Sequence, residues 1–343
     1  MKIVIPGGTG QVGVVLSRAF YRAGHEVTVL SRQAPVPSNR APWSVVAWDG
    51  KTLEYWAKEF EGADAVINLA GRSVNCRYGA ANRRAIMDSR VDSTRVIGRA
   101  IAACSAPPRV WLQASTATIY AHRFDASNDE ATGILGGNEP GAPNTWNFSI
   151  DVAKAWEQAA EEVYLPVTRL VKLRSAMIMS PDAGGIFDTL LRLVRFGLGG
   201  TAADGQQYIS WLHEEDFISA IYWLIEQEHL SGPVNLAAPY PLPNSQFMQT
   251  LRAAWGQPIG LPATRWMLEI GAAILRSETE LILKSRRVTP GRLLADGFEF
   301  RFPHWSMAAK DLCHRWRAGE NASLAERVGP DHCVETQTSR GSR

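Results

Sequence analysis

The chain has 343 residues, is 45% hydrophobic, and carries 36 basic against 34 acidic side chains, a formal net charge of +2. That length holds one large α/β domain with a smaller lobe, and that apolar content is ample for a core, so bulk disorder is excluded. The charge balance points to neither nucleic acid nor a membrane surface, and no apolar run approaches a membrane span. Cys76, Cys104, Cys313 and Cys333 show no paired ligand spacing, and no secretory signal precedes the first apolar strand. A cytoplasmic protein with reduced thiols and no metal is expected, with its oligomeric state left open.

Ile3, Val4 and Ile5 read as a buried parallel strand that runs into Gly7-Gly8-Thr9-Gly10-Gln11-Val12-Gly13. Val12, Leu16, Ala19, Phe20 and Ala23 then recur at helical spacing. A strand, a glycine turn and a helix in that order form a dinucleotide-binding signature. Gly7 would turn the backbone, Gly10 would let it approach a pyrophosphate, and Gly13 would let helix and strand pack closely, with the pyrophosphate on the helix N-terminus beside Gln11 and Val12. The second strand, Glu26 to Leu30, ends in Ser31-Arg32 where an NAD-specific protein usually carries an acid. A guanidinium and a hydroxyl there suit a 2′-phosphate, so NADP(H) is the expected cofactor; the alternative is that Arg32 is a solvated surface charge.

Strand and helix continue to alternate. Ser44 to Trp48 is a strand, 52–59 a helix, Asp64 to Leu69 a strand, Asn82 to Cys104 a helix and Arg109 to Ser115 a strand. This is a doubly wound parallel sheet, whose ligands bind at the carboxyl ends of the strands. Asp49 would meet the adenine edge. Leu69, Ala70 and Gly71 end the fourth strand, and Ala114 and Ser115 the fifth, where backbone runs alongside a cofactor. Residues 124–147 read as a long, lid-like loop, followed by a helix over 150–163 and a strand Val167 to Leu173. From 184 to 212 the chain leaves the sheet; helix Asp216 to Glu226, with Asp216 as N-cap, and strand Val234 to Ala237 return to it. The expected domains are a Rossmann unit over 1–238, a mostly helical lobe over 239–312 and a flexible tail over 313–343. Twelve tryptophans line a cleft or simply fill the core.

The glycine turn, Asn68-Leu69-Ala70-Gly71, Ser89-Arg90-Val91, Gly199-Gly200, Ser210-Trp211-Leu212-His213, 232–239 and 288–300 together resemble the atypical extended short-chain dehydrogenase/reductases of the epimerase family. Some members of that group carry the labels cell-division inhibitor or nucleoside-diphosphate-sugar epimerase. The resemblance covers nearly the whole chain, including the small C-terminal domain peculiar to the group. It implies an NADP(H)-binding Rossmann fold and leaves the activity poorly defined.

In the wider superfamily a Tyr-x-x-x-Lys pair and a Ser or Thr exchange a proton with the substrate oxygen: the lysine lowers the tyrosine pKa and the hydroxyl positions the substrate. Thr116 matches the hydroxyl position and Lys154 the lysine, while the tyrosine position is Ile150, which cannot carry a proton. Arg90 stands where related proteins carry Asn; it faces a carboxylate or phosphate of the substrate, or it pairs with an acid such as Asp88. Arg77, Tyr78, Arg174 and Trp211 resemble cleft positions of the family. Tyr120 and His213 are candidate replacement acids, with packing or capping as their alternatives. Two readings remain: an NADP(H)-dependent oxidoreductase or epimerase for a small polar, sugar-like or anionic molecule, and a non-catalytic NADP(H)-binding sensor or assembly factor. The pairs Arg83-Arg84 and Arg286-Arg287 read as solvated faces rather than nucleic-acid contacts.

Overall fold

A computed structural model of the protein describes residues 1–32, 41–137, 139, 143–264, 266–269 and 278–327. Seven strands, β1 (Lys2–Pro6), β2 (Glu26–Ser31), β3 (Ser44–Ala47), β4 (Ala65–Asn68), β5 (Val110–Thr116), β6 (Arg169–Ser175) and β10 (Gly232–Leu236), form one sheet in the order β3-β2-β1-β4-β5-β6-β10. Every pair is parallel. Both faces are covered by helices, so the central strands are apolar throughout: Ile3, Val4 and Ile5 are fully buried. Between α1 (Gln11–Arg22) and α5 (Glu214–Glu226) on one side and α2 (Ala80–Ala103) and α3 (Asn144–Glu161) on the other, the strand order reverses between β1 and β4. A crevice opens there beyond the strand ends.

A second core lies beside the sheet, where α4 (Ile186–Arg195), β7 (Met177–Met179), β9 (Trp211–His213), α6 (Asn244–Trp255) and α9 (Trp305–Arg327) meet around Phe187, Trp211, Phe247 and Trp305. Phe247 and Trp305 stack at 4.1 Å. Two short helices, α7 (Glu280–Leu283) and α8 (Gly291–Ala295), carry the chain back over the sheet end, and β8 (Tyr208–Ile209) pairs with β11 (Leu242–Pro243).

Several expectations change. Residues 313–327, expected as tail, continue α9: Cys313 is buried, and Arg315 bridges Glu214, Glu215 and Asp311. Up to residue 319 the polar composition reflects a helix with one face on the protein rather than a frayed end. Cys333 and the rest of 328–343 lie outside the described residues, as do 138 and 140–142 of the expected lid. The described part of that loop is fastened: Asn128 pairs with the Arg287–Thr289 segment, and the Glu130 carboxylate accepts from the N–H groups of Asn235 and Arg292. The helix expected over 52–59 is a 3-10 helix over residues 55–60. The cap of α5 is His213, whose Nδ1 accepts from the Glu215 N–H, rather than Asp216, whose carboxylate accepts from the N–H groups of Arg301 and Phe302. Among the described residues no helix is long and apolar enough to cross a membrane.

Candidate functional site

The crevice at the reversal point is a groove of about 810 Å3. Gly7, Gly10, Ser31, Arg32, Asp49, Leu69, Ala70 and Gly71 line it, as the sequence led us to expect, and so do Thr9, Trp48, Arg84 and Asp88, which motif reading missed. Two glycines set its floor. Gly7 has φ +78°, and a Cβ there would stand 2.7 Å from the Ala70 backbone; at Gly13 a Cβ would stand 2.5 Å from Gly8 Cα. Gly13 thus serves contact between helix and turn, rather than between helix and strand. The turn delivers α1 with Gly10 as N-cap, so the N–H groups of Gln11, Val12 and Gly13 open toward the groove end. Gln11 Nε2 is buried with no hydrogen-bond partner. An orphaned donor at a helix N-terminus suits an anionic ligand, and these residues therefore fit the pyrophosphate of a dinucleotide.

At the outer end, Ser31 is buried with Thr9 Oγ1 3.4 Å from its hydroxyl, and Arg32 is exposed. The Asp49 carboxylate is occupied locally, accepting from Lys51 N, Thr52 N and Thr52 Oγ1. The turn after β4 is held from beneath: Asn68 Oδ1 accepts from Ala70 N, and its amide donates to Gln113 Oε1 at 2.9 Å and Thr94 Oγ1 at 3.3 Å. Trp156 Nε1 completes this buried set on Thr94.

Outside the lining of that groove, Thr116 closes β5 and its Oγ1 accepts from Thr118 N, which leaves the hydroxyl proton to donate elsewhere. Lys154 Nζ donates to Gly136 O at 2.7 Å. Ile150 is 1% exposed, covered by Gly136 and Gly137. Ala114 sits one residue before Ser115 on β5, and the Ser115 hydroxyl is buried as a donor to Glu157 Oε1 at 2.6 Å. Its side chain is committed to the interior instead of the cofactor.

Three further cleft candidates are also interior groups. Arg174 makes a two-pronged pair with Glu157, at 2.8 Å on each prong, and donates to the Tyr120 hydroxyl at 3.0 Å; that hydroxyl donates to Asn235 Oδ1 at 2.9 Å. Burial alone would raise the Glu157 pKa, but Arg174, Ser115 and Lys172 outweigh it and hold the carboxyl below its usual range. Tyr120 is 2% exposed and cannot reach a ligand. Trp211 is fully buried in the second core. His213 is likewise buried, stacked on Phe302 and bonded to Asp311, so neither candidate acid faces the groove.

Arg90 follows neither alternative cleanly. Its guanidinium stacks on Trp156, donates to the carbonyls of Arg72 and Ile86, and lies against Gly71; among the described residues no carboxylate pairs with it. Burial pushes its pKa down to about 10. Arg77 pairs with Glu278 at 3.8 Å at the edge of a second cavity, of about 410 Å3, lined also by Trp146 and Leu283. Tyr78 is buried beside it, within a polar cluster the sequence did not reveal: Ser149, Glu280, Lys284 and Arg286. Arg286, expected on a solvated face, turns inward and donates to Thr118 Oγ1. Lys284 donates to Thr118 O, and burial, with Arg286 adding to it, pushes its pKa down to about 8. The only sequence signal was polar residues inside an otherwise apolar lobe.

Known proteins share this arrangement. Residues 3–237 match the model of the NAD dependent epimerase/dehydratase family, and residues 263–312 match a domain of unknown function, DUF1731. The human epimerase family protein SDR39U1 is 30% identical over 91% of this chain and 99% of its own length. The epimerase family protein SA0724 of Staphylococcus aureus is 31% identical over 91% of this chain and 98% of its own. A crystal structure of the human protein (isoform 2) with NADPH superposes with a TM-score of 0.78 at 28% identity, covering 92% of this chain and 99% of that one. A glycine turn, parallel sheet and C-terminal lobe assembled in this order, with matches of this extent, place the chain in the NAD dependent epimerase/dehydratase family.

Proposed function

We propose that the protein is an NADP(H)-dependent oxidoreductase or epimerase that acts by hydride transfer on a small polar molecule, sugar-like or anionic. The observation that carries this reading is a groove lined by Gly7, Gly10, Ser31 and Arg32, with an orphaned Gln11 donor on the first residue of the helix that its glycine turn opens. The human relative crystallised with NADPH supports the choice of cofactor. In this reading Arg32 and Ser31 hold the 2′-phosphate, Trp48 and Asp49 flank the adenine, and Gln11 and the α1 N-terminus hold the pyrophosphate. Leu69, Ala70 and Gly71 run alongside, and Lys154 exchanges its bond to Gly136 for the nicotinamide ribose. The bound nicotinamide supplies or accepts a hydride. Thr116 hydrogen-bonds the substrate oxygen through its hydroxyl and fixes its position, a separate acid supplies the proton, and Arg90 attracts an anionic group.

A second reading, a non-catalytic NADP(H)-binding sensor or assembly factor, is favoured by Ile150 at the tyrosine position and by the Gly136 carbonyl that occupies Lys154. Titration with NADPH and NADH, followed by absorbance against a panel of sugar nucleotides and small carbonyl compounds, separates the two. Oxidation of NADPH by any panel member establishes the enzyme; tight binding with none favours the sensor; no binding removes both. A charge-assisted contact contributes about 1.5–3 kcal/mol, so Arg32→Ala should weaken NADPH by about 10- to 150-fold and leave NADH unchanged. An equal loss for both would remove Arg32 from the phosphate.

A further inference from the structure

The walls of the cofactor groove carry an excess of positive charge. Four basic side chains line it, Arg32, Lys51, Arg72 and Arg84, against two acidic ones, Asp49 and Asp88. Two of the four are engaged within the protein: Arg72 Nη2 donates to Asn82 Oδ1 at 2.8 Å, and Lys51 Nζ stands 3.8 Å from Asp92 Oδ2. Arg32 and Arg84 are exposed and have no hydrogen bond or ion pair among the described residues. Arg83, by contrast, turns away from the groove, donating Nε to Tyr78 O at 2.7 Å with its guanidinium over the Phe148 ring. Asp88 follows Arg84 at the spacing of an intrahelical ion pair, yet the two do not pair. All the guanidinium donors of Arg84 are therefore uncommitted.

The helix sets where those donors stand. Ala81, Arg84, Ala85, Asp88, Ser89 and Ser93 recur at helical spacing, so one face of α2 forms a wall of the groove. At the inner end of that wall a Cβ on Gly50, in the turn after β3, would lie 3.9 Å from the Ser93 Cβ, which sets Ser93 level with the strand ends. α2 leads from the carboxyl ends of the strands back toward the start of β5, so residues before Ser93 lie farther out. At about 1.5 Å per residue, Arg84 is about 13 Å beyond Ser93. It overhangs the groove where a ligand projects from the sheet, rather than where a ligand rests on the glycine turn.

Building on the NADP(H) reading above, we propose that Arg84 is the second guanidinium of the 2′-phosphate site, closing on that group from α2 while Arg32 holds it from the end of β2. The N–H groups of α1 and the Gln11 amide already answer the pyrophosphate. What NADP(H) adds over NAD(H) is a phosphate monoester of about −1.5 to −2 charge at pH 7, and one arginine leaves much of that charge unmatched. A second fork of N–H donors completes it. Arg84 is thus a specificity-determining residue, and discrimination against NADH rests on both walls of the groove.

The test is a titration of the full chain with NADPH and with NADH, followed by tryptophan fluorescence, in wild type, Arg84→Gln and Arg32→Ala. Arg84→Gln should weaken NADPH by about 10- to 150-fold and change NADH by less than about twofold. Arg84 is exposed and unpaired, so the urea midpoint of the variant should match that of wild type. The phosphate supplies a second readout. In 31P spectra of bound NADP+ the 2′-phosphate resonance should titrate about one pH unit higher in Arg84→Gln, because a charge that favours the dianion is gone. An equal loss of both cofactors would move Arg84 to the pyrophosphate and overturn the proposal. Loss of NADPH in Arg32→Ala with none in Arg84→Gln overturns the second guanidinium alone and leaves the NADP(H) reading standing. Failure of wild type to bind either cofactor removes that reading and this proposal together.

Discussion

Arg174 decides whether the end of β6 is a recognition surface or a buried strut. Its side chain and that of Glu157 are 9% and 7% exposed, joined by two hydrogen bonds of 2.8 Å. In Arg174→Met, Glu157 keeps Ser115 Oγ at 2.6 Å and Lys172 Nζ at 3.6 Å, while the Tyr120 hydroxyl loses one of its two partners. Removing one member of a buried pair costs about 3–5 kcal/mol. The remaining partners of Glu157 place this case near the lower end, about 3 kcal/mol, which at a urea m-value of about 3 kcal/mol/M lowers the midpoint by about 1 M. Urea unfolding followed by tryptophan fluorescence measures it. Much of the cost is an uncompensated carboxylate, so Glu157→Leu combined with Arg174→Met should recover most of the loss. Because Arg174 and its neighbours depress the Glu157 pKa, this stabilisation is present above the unfolded carboxylate value of about 4.3 and fades as pH falls below it. A single variant less than about 1 kcal/mol below wild type, or a double variant worse than either single, would refute the strut. Wild-type stability with lost turnover would return Arg174 to the cleft.

The glycine turn separates folding from binding. Gly13→Ala drives a methyl into the Gly8 backbone and should destabilise by about 2–3 kcal/mol in a urea melt. At Gly10 a Cβ would meet only Gly7 O at 3.6 Å, so Gly10→Ala should hold stability within about 1 kcal/mol while weakening NADPH, because the methyl enters the groove. Equal losses of stability in the two variants would show that the turn geometry is misread. For His213, burial outweighs Asp311 and pushes the pKa down to about 4, so its folded value lies below its unfolded value of about 6.5. Its contribution is complete above pH 6.5 and is lost as pH falls toward 4. His213→Asn, which keeps a capping side chain, should flatten the decline of the urea midpoint between pH 7 and 4.5; parallel curves for variant and wild type would contradict the buried neutral imidazole.

The local code was legible. An apolar strand, a glycine turn and a helical apolar period within the first 23 residues specify one βα unit, because period and backbone freedom act over a few residues. Ser31-Arg32 fell at the groove edge for the same reason: a parallel strand that pairs with β1 must end beside its turn. What the chain could not reveal locally is which polar side chains face a ligand and which face each other. Arg174, Tyr120 and Trp211 stand at sequence positions that suit a cleft, yet Glu157, Asn235 and the second core claim them from 17 to 115 residues away. The cluster of Tyr78, Ser149 and Glu280 spans 202 residues, and the helical turn beyond Cys313 draws its stability from partners such as Glu214, 101 residues before Arg315. A hydroxyl or a guanidinium carries the same local signal whether it is solvated, paired or catalytic. The element packed against it sets its dielectric and its partners, and only the tertiary structure supplies that element.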